Sequence, residues 1–197
     1  MEIDFNIMEI DLYIARHGQT EENLQRILQG QMPGTLTEEG IHQAEELRDK
    51  LKDVDFGCIY SSDLRRALKT ARIIAEPHNC PLIEEPLLRE RDFGIHTGGP
   101  YIRISHALDP SAETMEQLAQ RGVDFLNALT QSISQNQERP VLAVSHGLFL
   151  RVLQAVYHGV PVRQIEKMEN AEVRILHLQP GMTFTATLLE ETGGTAN

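Results

Sequence analysis

Strand-like and helix-like segments alternate along nearly the whole chain, and this alternation restricts the fold more than any other feature. Runs rich in apolar and β-branched residues read as strands at about 9–16, 56–61, 140–145, 172–178 and 183–189, with a short one at 81–84. The turn signal QPGM separates the last two. LTEEGIHQAEELRDKL predicts a helix with Thr37 as N-cap, Leu36 and Ile41 as a hydrophobic staple, and Glu38 and Glu39 in the first turn. Ile41, Ala44, Leu47 and Leu51 then share its inner face. A second helix is expected over 63–76, with Leu64, Ala67, Leu68, Ala71, Ile74 and Ala75 on one stripe. A third runs from about 110 to 135 through Met115, Leu118, Gly122, Phe125, Leu129 and Ile133, and a fourth from just after His146 to near Gly159. The pattern predicts an α/β fold of three layers, a central and mostly parallel sheet with helices on both faces.

The 197 residues, 41% of them hydrophobic, suit one domain over 1–197 with a sizeable core. Residues 1–7 read as an N-terminal extension, because MEIDFNI and MEIDLYI stand in tandem and Met8 serves equally well as a beginning. Residues 86–110, with their glycines and prolines, read as a long irregular connection, a feature more often functional than idle. The net charge of -11 argues against a nucleic-acid or anionic-membrane partner, either of which wants a basic face. An anionic ligand must therefore meet a local positive cluster. No apolar run approaches the roughly 20 residues of a membrane helix, and the acidic start lacks a basic leader segment. Cys58 and Cys80 form no CxxC pair, so a disulfide framework is not expected and a cytoplasmic location is. The sequence leaves homo-oligomerisation open.

In an open α/β sheet, ligands bind beyond the carboxyl ends of the strands. Three such ends carry reactive side chains here. DLYIARHG ends on Arg16, His17 and Gly18; CIYSSDLRR leads into a helix holding Arg65 and Arg66; VLAVSHG ends a very apolar strand on Ser145, His146 and Gly147. Gly18 and Gly147 each precede a helix-compatible segment, whose free N–H groups and partial positive charge favour an anion, phosphate above all. Helical phase separates the arginine pair: Arg65 falls with Lys69, Arg72 and Glu76 on a charged stripe, whereas Arg66 faces elsewhere and is the candidate ligand. The remaining histidines form no HExxH or similar spacing, so no metal site is expected. His42 and His78 read as exposed, and His96 and His106 as lining a substrate entrance.

LYIARHGQTEENLQRILQG resembles the opening signature of the histidine phosphatase superfamily, the cofactor-dependent phosphoglycerate mutases and their phosphatase relatives. LTEEGIHQA, IYSSDLRRALKTA, LLRERDFG and VLAVSHG follow in that family's order, over roughly residues 10–157. The resemblance implies a phosphoglycerate mutase-like fold and a phosphoryl-transfer site. His17 would be the nucleophile, Arg16, Arg66 and His146 would hold the phosphoryl group, and Glu90 would be the proton donor. Thr20 and Asn23 match positions lining the phosphate pocket, with the backbone near Gly18 and Gly147. Tyr101, Arg103 and His106 are expected to touch the substrate beyond the phosphate.

Phosphoryl transfer is mostly positioning and charge stabilisation, which guanidinium forks supply well. His17 must be neutral at its attacking nitrogen, its other nitrogen donating to a carbonyl, whereas His146 is expected to be protonated toward the anion. The two histidines therefore need opposite protonation states, set by their neighbours. No metal or other cofactor is expected, since arginines and histidines replace its charge. Only about 50 residues separate Gly94 from His146, and by resemblance the mutases insert more there. The short insert favours a phosphatase acting on a small phosphorylated metabolite; mutase-type transfer, a phosphohistidine-protein phosphatase and a weakly active phospholigand-binding protein are the alternatives. Glu22 stands where the family often has Trp, and QMPGTL and FGIHTGGP also depart from its pattern, so the substrate is left open.

Overall fold

The structure is a computed structural model describing residues 9–101, 109–133 and 139–186. Residues 1–7, Arg103 and His106 lie outside the described residues. Five strands, β1 (Ile10–Arg16), β2 (Cys58–Ser61), β3 (Leu82–Glu84), β4 (Val141–Ser145) and β5 (Val173–Leu178), form one sheet in the order β3-β2-β4-β1-β5. All neighbours are parallel except β5, which runs antiparallel to β1. β4 is buried at every position, as a central strand covered on both faces must be. Its period of two divides the core: Val141 and Ala143 face one layer, Leu142 and Val144 the other.

On the first face pack α4 (Met115–Ile133) and α5 (Gly147–His158), through Leu118, Phe125, Phe149 and Leu153. On the second lie α2 (Glu38–Leu51) and α3 (Arg65–Ala75), through Leu47, Leu51, Ala71 and Ile74. Burying Leu47 and Leu51 is worth roughly 2 kcal/mol each, more than any propensity difference on the outer face of α2. Thr37 caps α2 as expected, its hydroxyl accepting from Gly40 N at 2.9 Å. No helix among the described residues is long and apolar enough to cross a membrane.

Three sequence expectations shift. α4 starts at Met115 rather than near 110, because Thr114 and Gln117 cap each other: Gln117 N donates to Thr114 Oγ1 and Thr114 N to Gln117 Oε1. The strand expected over 183–189 is not formed across its described part, 183–186. Phe184 is buried there, and the Asn127 side chain takes both its N–H and its carbonyl, the bonds a neighbouring strand would otherwise make. His78 is not simply exposed, for it packs edge-on against Phe56 with ring centroids 5.0 Å apart. Register brings the active ends level: Arg16 pairs with Ser145, and Ser61 with Val144. Everything that follows β1, β2 and β4 thus emerges at one rim of the sheet.

Candidate active site

At that rim His17 and His146 lie side by side, 3% and 0% exposed, with ring centroids 5.1 Å apart. His17 N donates to Ser145 O at 3.0 Å, so the sheet ladder itself continues into the site. The His17 Nδ1–H donates to Gly18 O at 2.7 Å, which fixes the tautomer and leaves the lone pair on Nε2. Arg66, 1% exposed, donates from Nε to that Nε2 at 3.2 Å. Its Nη1 and Nη2 donate to the carbonyls of Met32 and Gly30, so the 30–34 loop is wrapped around this guanidinium. Arg65, one residue earlier, is exposed with Lys69, Arg72 and Glu76, as helical phase requires.

Arg16 donates from Nη1 to Met168 O at 2.7 Å, and its Nε is buried with no hydrogen-bond partner among the described residues. His146 Nδ1 is buried and unpartnered in the same way, while its Nε2 lies 2.8 Å from Ser62 Oγ. Ser62 Oγ also accepts Leu64 N–H at 3.3 Å, and its hydroxyl hydrogen can point at Nε2. In that arrangement His146 carries its proton on Nδ1 and is a neutral donor. Orphaned buried polar atoms are rare, and two of them at one rim suit an anionic ligand.

Charge and burial act alike on both rings. Burial first, then the positive charges of Arg66 and Arg16, push His17 well below the ordinary histidine value. Burial, then Arg66, His17 and the arginines beyond, do the same to His146. The expected opposite protonation states are therefore not set by the protein alone, because the same surroundings hold both imidazoles neutral. Burial also lowers Arg66 to about 10, against support from Glu90 and Glu22, which still leaves it charged near neutrality. Arg16 is lowered by burial and supported by Glu90 first among its neighbours.

Glu90 is fixed from three directions. Its Oε1 accepts from Phe149 N at 3.0 Å and Arg91 N at 2.9 Å, and its Oε2 from Leu148 N at 3.1 Å. The carboxyl group thus occupies the positive N-terminus of α5 next to His146. Oε2 accepts one of these bonds and Oε1 the other two.

Other expected positions differ in detail. Gly18 does not head a long helix: α1 is the single turn Glu21–Leu24, and Gly18 N donates to Thr70 Oγ1 at 3.2 Å. Gly18 is required by crowding instead, since a Cβ there would stand 2.2 Å from Gly40 O. Thr20 caps α1 in a reciprocal pair with Asn23. Asn23 Oδ1 accepts from Thr20 N and, at 3.4 Å, from Asn170, so what Asn23 can offer a ligand is its amide N–H. Gly147 opens α5 against the Arg16 guanidinium, where a Cβ would lie 3.3 Å from Nε. Tyr101 is 64% exposed, its N–H donating to Arg26 O at 2.6 Å. His96 is exposed.

The model of the histidine phosphatase superfamily (branch 1) matches residues 12–191. The chain belongs to the histidine phosphatase superfamily. It is 34% identical over 172 residues to a probable phosphoglycerate mutase of Proteus mirabilis, covering 77% of this chain and 76% of that one. A metal-independent phosphoserine phosphatase of Arabidopsis thaliana is 33% identical over 193 residues, 86% of this chain and 76% of its own. The solved structure of a phosphoglycerate mutase from Bacillus anthracis superposes with a TM-score of 0.80 at 27% identity, covering 91% of this chain and 92% of the other. The relatives are named as phosphatases and mutases, and this histidine phosphatase is accordingly an enzyme of phosphate monoesters.

Sequence reasoning passed over several residues that shape this histidine phosphatase site. Ser62 orients His146, and Asn170 donates to His17 O at 3.1 Å. Asp63 and Arg89 form a two-point ion pair that ties the start of α3 to the turn carrying Glu90. Ser145, already singled out at its strand end, donates from Oγ to Leu88 O at 2.6 Å and pins the same turn to β4. Ser62 stands inside the IYSSDLRRALKTA block without a role of its own, and no local motif marks Asn170; their partners lie 84 and 153 positions away.

Proposed function

We propose that this protein is a metal-independent phosphomonoesterase that transfers the phosphoryl group of a small metabolite to His17 and then to water. The observation carrying this reading is the locked His17 tautomer beside two buried unpartnered groups, Arg16 Nε and His146 Nδ1. His17 Nε2 attacks phosphorus, the P–N bond forms, and the bond from phosphorus to the ester oxygen breaks. Glu90 gives its proton to that oxygen, and the alcohol leaves. In the second half Glu90 accepts a proton from water as the water oxygen attacks phosphorus and the P–N bond breaks. Arg16, Arg66 and His146 hold the phosphoryl oxygens throughout. Arg66 Nε–H, which rests on His17 Nε2, turns to a phosphoryl oxygen as the substrate enters.

The substrate is a small monoester rather than a polyanion, since a net charge of -11 repels nucleic acid at long range. A reducing cytoplasm suits the two free cysteines. Mutase-type transfer is the second reading, favoured by relatives named phosphoglycerate mutase. The test is hydrolysis of an aryl phosphate by chelator-treated wild type and His17→Ala from pH 5 to 8, with 3-phosphoglycerate isomerisation assayed alongside. Hydrolysis should survive chelation and fall at least about 10³-fold without His17, with phosphate binding partly retained. Isomerisation outrunning hydrolysis would favour the mutase reading, and undiminished hydrolysis by His17→Ala would reject the phosphohistidine.

A further inference from the structure

We infer that Arg121 and Glu113 are a positioning pair that sets where the Glu90 carboxyl stands. This inference rests on the proposed acid–base role of Glu90. Arg121 lies on the inner part of α4, and all five of its N–H groups have acceptors within reach. Nη1 donates to Leu87 O at 2.6 Å and Arg89 O at 2.8 Å, and Nη2 to Glu90 O at 3.3 Å and Glu113 Oε2 at 2.9 Å. Nε completes the set on Glu113 Oε1 at 2.7 Å. Three of the five acceptors are consecutive or near-consecutive main-chain carbonyls of the turn that bears Glu90.

Glu113 closes the arrangement from the other side. Its Oε2 accepts from Asp92 N at 3.1 Å, its own N donates to Asp92 O at 2.9 Å, and its carbonyl accepts from Arg91 Nε at 2.8 Å. The pair therefore grips the chain both before and after Glu90. The Arg121 guanidinium also lies 5.1 Å from the centre of the Phe149 ring, and Phe149 N–H is one of the two α5 donors that hold the Glu90 carboxyl. One planar cation thus references the Glu90 backbone and the helix end that its side chain caps to the same point. An ammonium cannot reproduce five donors in a plane, so lysine is the informative substitution. Neither residue needs to touch the substrate.

The consequence is specific. Displacing Glu90 matters when the leaving oxygen needs a proton and little when it does not. 4-Nitrophenyl phosphate and β-glycerol phosphate are compared for wild type, Glu90→Gln, Arg121→Lys and the combined variant, with melting followed in each. Arg121→Lys should slow the glycerol ester about tenfold and the aryl ester less than about twofold, and should add little to Glu90→Gln. Glu113→Gln should show the same split and decides the matter if the lysine variant does not fold. Equal slowing of both esters, additive with Glu90→Gln, would reduce the pair to support of the fold and overturn the inference. If Glu90→Gln itself shows no split, the role proposed for Glu90 fails first. A split in Glu90→Gln with none in Arg121→Lys or Glu113→Gln removes only the positioning pair.

Discussion

Ser62 shows how much rests on one hydroxyl at this site. It stands between Leu64 N–H and His146 Nε2, and when its hydrogen points at Nε2 the buried imidazole presents its own hydrogen from Nδ1 to the rim. Ser62→Ala leaves Nε2 without its donor, and losing such a bond in a buried place costs about 1–3 kcal/mol. Inhibition by inorganic phosphate should weaken by about tenfold or more, with melting lowered by several degrees; an unaltered inhibition constant would contradict this assignment. The arginines at this scale were legible because helical phase alone separates buried Arg66 from exposed Arg65. Arg121 went unremarked, although it falls between Leu118 and Phe125 on the inner stripe of α4, where a cation needs a reason. Ser62 was not legible, since nothing local distinguishes it from Ser61.

Among the elements, α2 and the turn after β1 meet at a backbone-to-backbone contact. A Cβ on Gly40 would lie 2.0 Å from Gln19 O, and one on Gly18 would lie 2.2 Å from Gly40 O. In an open helix, replacing glycine by alanine gains about 0.5–1 kcal/mol. Here the sign reverses, because the added methyl must push apart two main chains. Gly40→Ala should destabilise by about 1–3 kcal/mol, read as a lower urea midpoint, and should slow turnover by moving His17. A stabilised variant would show that the contact gives way freely. The glycine in LTEEGIHQA could be seen in the sequence but not its purpose, which depends on how closely two segments approach. The same holds for Glu90: the motif pointed to it, yet only the fold reveals that it caps α5. The strand expected near 183 failed for a related reason, since one Asn127 side chain replaced a strand partner.

For the molecule as a whole, the two depressed histidines link the site to stability. An unfolded histidine titrates near 6.5, whereas folded His17 and His146 resist protonation well below that. Below about pH 6.5 the unfolded chain therefore binds more protons, and stability must fall as pH falls. The stabilisation is fully present above the unfolded value and is lost at roughly 1 kcal/mol per pH unit for each histidine. Melting temperatures measured from pH 7.5 to 5.5 should decline, and a variant carrying His17→Gln and His146→Gln should decline less steeply. Equal slopes would refute this account. Layering and strand direction were the most legible features at this scale, because two-residue and helical periodicities report burial on each face; the register that levels the three strand ends was not written in any one segment.

The place of β1 in the sheet also bears on how the protein comes into being. This strand leaves the ribosome first among the five, yet its neighbours are β4 and β5, at Val141–Ser145 and Val173–Leu178. Loops of more than a hundred residues must close before either edge of β1 is paired, a slow step for any chain. Until those strands emerge, an apolar strand ending on His17 stays without its sheet partners, exposed to aggregation and to chaperones. Chemistry is thereby withheld until β4 and β5 have been made, since the strand that carries His17 has neither of its sheet neighbours before then.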